Sequence, residues 1–341
     1  MSPSTNDKPT VGLIFSGAGS AGAGATQAGF ELRWIIDPRD FIRPATWEHN
    51  FPDVPYSTVE LDAFQRSPVN LIIGSPPCSS YSLLNRTKTR LDLYATDPDT
   101  VEYNAFMLQV KARQPEAFIL ENLPRIRDFL FFPFNPEDAC LYTHFYDYDT
   151  EKFETKELVR LPGYRVYQYF LDTIDFGLAQ RRLRLFIVGV RDDLAWSYDP
   201  PRSDEVGGLW VNAALRGLNP HSLNHDKDFL KPEMKKEWRD LPYGVKTKKK
   251  SRKLAPKAPG PTVVSGSLRH FHYKEPRFLT ARECARLQGF PDDFWFDGSI
   301  RQQLDQVGKA IAVPIVKSLS SAVAISLQSN KEFTAIDEFL A

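Results

Sequence analysis

Residues 11–37 constrain this chain more than any other stretch. Val11-Gly12-Leu13-Ile14-Phe15 is a short apolar run that enters Ser16-Gly17-Ala18-Gly19-Ser20-Ala21-Gly22. A small-residue helix follows and ends near Gly29, and Leu32-Arg33-Trp34-Ile35-Ile36-Asp37 is a second buried strand with an acid at its tip. Strand, glycine turn, helix, strand and acid is the opening of an α/β sheet of the nucleotide-binding kind. A glycine turn alone is weak, since such loops follow strands in many proteins. Asp37 adds weight because an acid there can bond ribose hydroxyls, although a turn residue before Pro38 reads the same way.

A second strand-like run, Asn70-Leu71-Ile72-Ile73, ends in Gly74-Ser75-Pro76-Pro77-Cys78. A lone cysteine is more often a small buried hydrophobe than a nucleophile. Two adjacent prolines, however, fix two φ angles and hold the thiol in one direction. Ala117-Phe118-Ile119-Leu120 ends in the same way, in Glu121-Asn122-Leu123-Pro124, after an amphipathic helix over 101–113. A thiol and an acid on neighbouring strand tips suit covalent catalysis with proton transfer. Residues 79–100 are a long polar loop, of a length expected of a lid. Residues 164–171 and 183–190 read as antiparallel strands at the sheet edge. Arg182 and Arg184 alternate at the start of the second, so both can point into one cleft. Together these residues form a pocket for a planar, hydrogen-bonding ring.

The bulk numbers narrow the partners. The chain has 341 residues, with 43 Lys and Arg balanced by 43 Asp and Glu. A nucleic-acid partner must therefore meet a local basic patch, and Lys246 to Lys253 is the candidate, with a solvated loop as the plain alternative. The three cysteines, Cys78, Cys140 and Cys284, have neither disulfide nor zinc spacing. No apolar stretch is expected to span a bilayer, and no secretory signal is read at the start, which points to a reducing cytoplasm.

Seven ordered blocks then carry a family resemblance. They are Phe15 to Gly19, Asp37, Pro76-Pro77-Cys78, Glu121-Asn122-Leu123, Gln180 to Arg184, Arg282 to Pro291, and Gly308 to Pro314. The chain resembles the DNA (cytosine-5) methyltransferases. The resemblance implies a Rossmann-like S-adenosylmethionine-dependent methyltransferase fold, a mixed α/β sheet with helices on both faces, plus a smaller target-recognition domain. It implies a catalytic domain over 1–193, target recognition over 194–276, a hinge over 277–302, a helix returning to the first lobe over 303–330 and a tail over 331–341.

By the same resemblance Cys78 is the nucleophile, Glu121 the acid that bonds the base, and Arg182 and Arg184 its electrostatic partners. Phe15, Gly17, Ala18, Gly19, Ser20, Asp37, Pro38, Thr58, Val59, Pro77, Lys309 and Ala310 would line the S-adenosylmethionine site. Double-stranded DNA would be the partner of a monomeric enzyme working at the bacterial or phage nucleoid.

Four positions depart from the family pattern. Ser79 stands where Gln is usual, Pro38 where Trp is usual, Thr58 where Asp is usual, and Lys309 where Asn is usual. An ammonium buried at Lys309 would need a partner. Either it reaches a phosphate or water, or it pairs with the carboxylate of carboxy-S-adenosylmethionine, which would make the product 5-carboxymethylcytosine. Two rivals share the motifs: a transfer-RNA methyltransferase, and a DNA-binding relative without catalysis.

Overall fold

The structure, a computed structural model, describes residues 8–39, 43–58, 67–77, 98–147, 152–202, 209–247, 251–265 and 269–340. Its centre is a seven-stranded sheet. The strands are β1 (Thr10–Ile14), β2 (Glu31–Ile36), β3 (Tyr56–Ser57), β4 (Leu71–Gly74), β5 (Ala117–Asn122), β9 (Tyr164–Asp172) and β10 (Leu183–Arg191). Their order is β3-β2-β1-β4-β5-β10-β9. The first five run parallel, and β10 is antiparallel to both its neighbours. The chain leaves β1 toward β2 and β3, then returns to the other side of β1 with β4 and β5. The order therefore reverses between β1 and β4, and open α/β sheets bind ligands in the crevice at such a switch point.

Helices cover both faces. On one, α1 (Ser20–Gln27) and α8 (Val313–Leu340) pack over Leu13, Ile35, Ile73 and Val188. These two helices approach closely because α1 is built of small residues. A Cβ on Gly24 would meet Val316 Cβ at 2.6 Å. On the other face α3 (Pro98–Arg113) buries Tyr103, Phe106, Met107 and Val110 against Ile14, Ile72 and Phe118. A three-stranded antiparallel sheet of β6 (Leu130–Phe131), β7 (Cys140–Asp147) and β8 (Lys152–Arg160) adds Leu130, Leu141 and Val159 to that core. The sequence reading had no elements there.

Several expectations change. The loop placed over 79–100 is shorter at its end, since α3 begins at Pro98; residues 78–97 lie outside the described residues. The single helix expected over 303–330 is two, α7 (Ile300–Lys309) and α8. Pro314 cannot donate a backbone bond and disfavours helix at the residue before it, so the chain breaks at 310–312. The helix then continues to Leu340, through residues expected to be a tail. By length and composition, the segment Ile300–Asn330 passes the test for a membrane-crossing helix, against the expectation that no stretch would. Of its most apolar window, 61% is buried within the protein, as a core helix requires.

Among the described residues of 194–276 there is little regular structure: α4 (Val211–Ala214), α5 (Pro232–Asp240) and isolated bridges. α6 (Ala281–Leu287) follows, with Thr280 as its N-cap. Thr280 Oγ1 accepts from Glu283 N–H, and Glu283 accepts from Thr280 N–H, the reciprocal pair that its sequence predicts.

Candidate active site

The glycine turn builds one side of the crevice. Gly17 and Gly19 have φ of +58° and +88°, which favours residues without a Cβ. Gly17 is held on both sides: its N–H donates to Asp37 Oδ2 at 2.9 Å, and its carbonyl accepts from Trp47 Nε1 at 2.9 Å. A Cβ at Gly17 would meet no atom within 4 Å, so open space lies beside this peptide. Ser16 is buried, and its Oγ has no hydrogen-bond partner among the described residues. An open cradle with an unsatisfied hydroxyl beside a buried acid fits a polar, ribose-bearing cofactor.

The other predicted cofactor residues divide. Phe15 is buried with φ +55°, and Ala18 is buried in the core. Pro38 is partly exposed and Thr58 exposed; Val59 lies outside the described residues. Ser20 Oγ accepts from Ile311 N–H at 3.1 Å, so it ties α1 to the returning segment. Ala310 is buried, whereas Lys309 is exposed on the last turn of α7. An exposed Lys309 agrees with the alternative in which it reaches a phosphate or water, and it lacks the desolvation that would call for a carboxylate partner.

Strand register builds the other side. Gly74 pairs with Leu120, so Ser75 stands level with Glu121. Phe186 pairs with Glu121, which puts Arg184, two residues away, on the same face within diagonal reach of the acid. The side chains follow. Ser75 Oγ donates to Glu121 Oε2 at 2.7 Å, and Arg184 Nε forms an ion pair with Oε1 at 3.1 Å. Asn122 Nδ2 donates to Pro76 carbonyl at 3.2 Å. The turn before Cys78 is therefore pinned to the end of β5 through Ser75, Pro76 and Asn122. Pro77 is partly exposed; Cys78 itself lies outside the described residues. Sequence reasoning missed Ser75, whose signal was its place one residue beyond a strand that pairs with the acid's strand.

The two other cysteines are poor nucleophiles. Burial pushes the Cys140 thiol up to about 11, and raises that of Cys284 further. A thiol held protonated is neither a good attacking group nor a metal ligand.

Arg182 and Arg184 do not share a pocket. Arg182 is buried and donates to Val263 carbonyl at 2.8 Å and to Gly308 and Ala310 carbonyls at 3.1 Å each. Gln180, fully buried beside it, donates to Leu287 carbonyl and Gln288 Oε1 and accepts from Val263 N–H. Arg182 thus joins the start of β10 to Val263 and to the end of α7.

The basic segment also divides. Lys246 bridges Arg252, and Thr247 N–H donates to Ser251 carbonyl at 2.8 Å, so the stretches on either side of 248–250 pair. Lys248, Lys249 and Lys250 lie outside the described residues. Lys253, expected at a phosphate, is instead buried. Its Nζ donates to Trp238 carbonyl at 3.0 Å and lies 4.7 Å and 5.0 Å from the Trp238 and Tyr243 rings.

Comparison with known proteins agrees with this geometry. The family model for C-5 cytosine-specific DNA methylase matches residues 10–133, 149–207 and 208–324. The Type II methyltransferase M1.HphI of Haemophilus parahaemolyticus is 30% identical over 343 residues, covering 91% of this chain and 85% of that protein. The Type II methyltransferase M.HaeII of Haemophilus aegyptius is 25% identical, covering 93% and 95%. A solved structure assigned to a DNA modification methyltransferase within an E. coli prophage superposes with a TM-score of 0.72. It is 20% identical and covers 94% of this chain and 99% of its own, a likeness of fold. With the reversed strand order, the glycine turn and the acid beside the double-proline turn already in place, the chain belongs to the C-5 cytosine-specific DNA methylase family.

Proposed function

We propose that this protein methylates C5 of cytosine in duplex DNA, through a transient bond between Cys78 and the ring. One observation carries the reading. Glu121, at the end of β5, is bonded to Ser75, three residues before Cys78, and to Arg184 from β10. Strand pairing thus brings an acid and a guanidinium to the turn that leads into the thiol.

Each residue has a task. Cytosine C5 is a weak nucleophile. Addition of the Cys78 thiolate to C6 makes the ring enamine-like and raises electron density at C5. Glu121 bonds N3 and the exocyclic amine, and Arg184 orients that carboxylate and stabilises charge on the ring. S-Adenosylmethionine, when bound, supplies an electrophilic methyl group. Loss of the C5 proton to a base and expulsion of Cys78 from C6 restore aromaticity and the free thiolate. Phe15, Gly17, Ser16 and Asp37 hold the cofactor, and Arg182 holds the lobes in register. The base must leave the duplex to reach the site, at a cost of about a few kcal/mol. Lys246 and Arg252, paired in one bridge, face phosphates, and Phe229, Tyr243 and Val245, all exposed, belong to the surface that meets DNA. Relatives named as Type II methyltransferases support a restriction–modification setting for this chain.

The test is covalent trapping. Duplex DNA containing 5-fluorocytosine at the recognised site, with S-adenosylmethionine, should yield a conjugate that survives denaturation and maps to Cys78. Cys78→Ala should give none. Mass spectrometry of DNA modified by the wild type should show 5-methylcytosine. A conjugate with transfer RNA in place of DNA, or a carboxymethyl product, would replace this reading.

A further inference from the structure

Asp37 is wholly buried although it stands just past the end of β2. Four donors cover it. Oδ1 accepts from Arg39 Nε at 2.5 Å and from Arg39 N–H at 3.4 Å. Oδ2 accepts from Gly17 N–H at 2.9 Å and from the terminal Arg39 nitrogen. An ionised carboxylate offers about four acceptor positions, so this one is filled. The arrangement is local and preset, because Pro38 fixes φ between the two partners. Only 12% of the Arg39 side chain is exposed, and its guanidinium lies 5.6 Å from the Phe15 ring.

We infer that Arg39 is a latch on the ribose-binding acid: it competes with the cofactor's ribose hydroxyls for Asp37 and thereby sets cofactor affinity. The inference rests on the cofactor reading above. Two ribose hydroxyls reach Asp37 only when the fork of Arg39 withdraws. The Gly17 bond need not change, since its N–H occupies its own acceptor position on Oδ2. The exchange trades a bidentate charged pair for two neutral donors, which is uphill by itself. A latch closed about nine-tenths of the time weakens apparent affinity about tenfold, without touching the contacts of the bound state.

Binding of S-adenosylhomocysteine, measured by calorimetry on the full chain, tests this with three proteins. Asp37→Asn should bind about tenfold or more weakly than wild type. Arg39→Ala should bind about tenfold more tightly. Without ligand, Arg39→Ala should also melt below wild type, because Asp37 loses its main partner, and its ligand-induced rise in Tm should exceed that of wild type. If Arg39→Ala does not fold, Arg39→Gln should show the same direction. Unchanged or weaker binding by both Arg39 variants, with Asp37→Asn weakened, overturns the latch and leaves the cofactor site standing. Unchanged binding by Asp37→Asn overturns the site assignment, and the latch with it.

Discussion

Replacing Arg182 by methionine should separate a structural arginine from a catalytic one. Arg182 is 4% exposed, and its guanidinium donates to three carbonyls, those of Val263, Gly308 and Ala310. A hydrogen bond to a charged group is worth about 1.5–3 kcal/mol net, and an acceptor left buried and unmet costs about 1–3 kcal/mol. Ala310 carbonyl keeps a contact with Gln288 Nε2 at 3.4 Å, so its loss is partial. Methionine fills much of the volume, so little cavity term adds. The bonds share one side chain and are not independent, and the expected loss is roughly 3–5 kcal/mol. Urea unfolding followed by circular dichroism reads it, if wild type and variant give coincident transitions by a second probe. At saturating DNA and cofactor, below the unfolding range, turnover per folded molecule should fall by less than about tenfold, or about 1.4 kcal/mol of barrier. A stability loss under about 1 kcal/mol with turnover abolished would refute the reasoning, because it would put the guanidinium at the reacting ring.

Three further outcomes follow from the geometry. Arg184→Gln should leave stability within about 1 kcal/mol but lower single-turnover methylation by about 10²-fold, since Glu121 loses its charged partner; equal losses at Arg182 and Arg184 would argue against their different roles. Gly17→Ala places a methyl in the open cradle at φ +58°, and should weaken S-adenosylhomocysteine binding about tenfold or more by calorimetry, while the fold melts only a few degrees lower. Burial lowers His270 and His272 from 6.5 to about 4. Their folded pKa lies below the unfolded one, so stability present above pH 6.5 is lost as pH falls toward 4, by up to about 1.4 kcal/mol per pH unit for each. Urea titrations at pH 7, 6 and 5 should show this slope, and His270→Phe should flatten it.

The tips of the strands were legible from residue types alone. Apolar runs that end in glycine, proline or an acid mark where buried backbone reaches the surface, which located Gly17, Asp37, Glu121 and the Ser75–Pro77 turn. The small sheet of β6 to β8 was not legible. Its strands carry polar residues at Thr143, His144, Glu154, Lys156 and Glu157, so no apolar alternation announces them, and only pairing between strands forms them. The break at 310–312 was signalled by Pro314 and overlooked because apolar residues continue at helical spacing on both sides.

Local chain chemistry by itself determined the opening strands of the main sheet, the glycine turn, the capping box at Thr280 and the identity of the groups at the sheet's edge. These depend on neighbours within a few residues, and the sequence holds them directly. Tertiary structure alone decided which groups meet. Arg182 and Arg184 are equivalent in pattern, two residues apart on one strand face, yet one is spent on carbonyls brought in from 263, 308 and 310 while the other reaches Glu121. Lys253 looks like its lysine neighbours but is enclosed by Trp238 and Tyr243. A long charged side chain takes the partners that lie within its reach, and segments distant in sequence supply most of those partners only after the chain has folded.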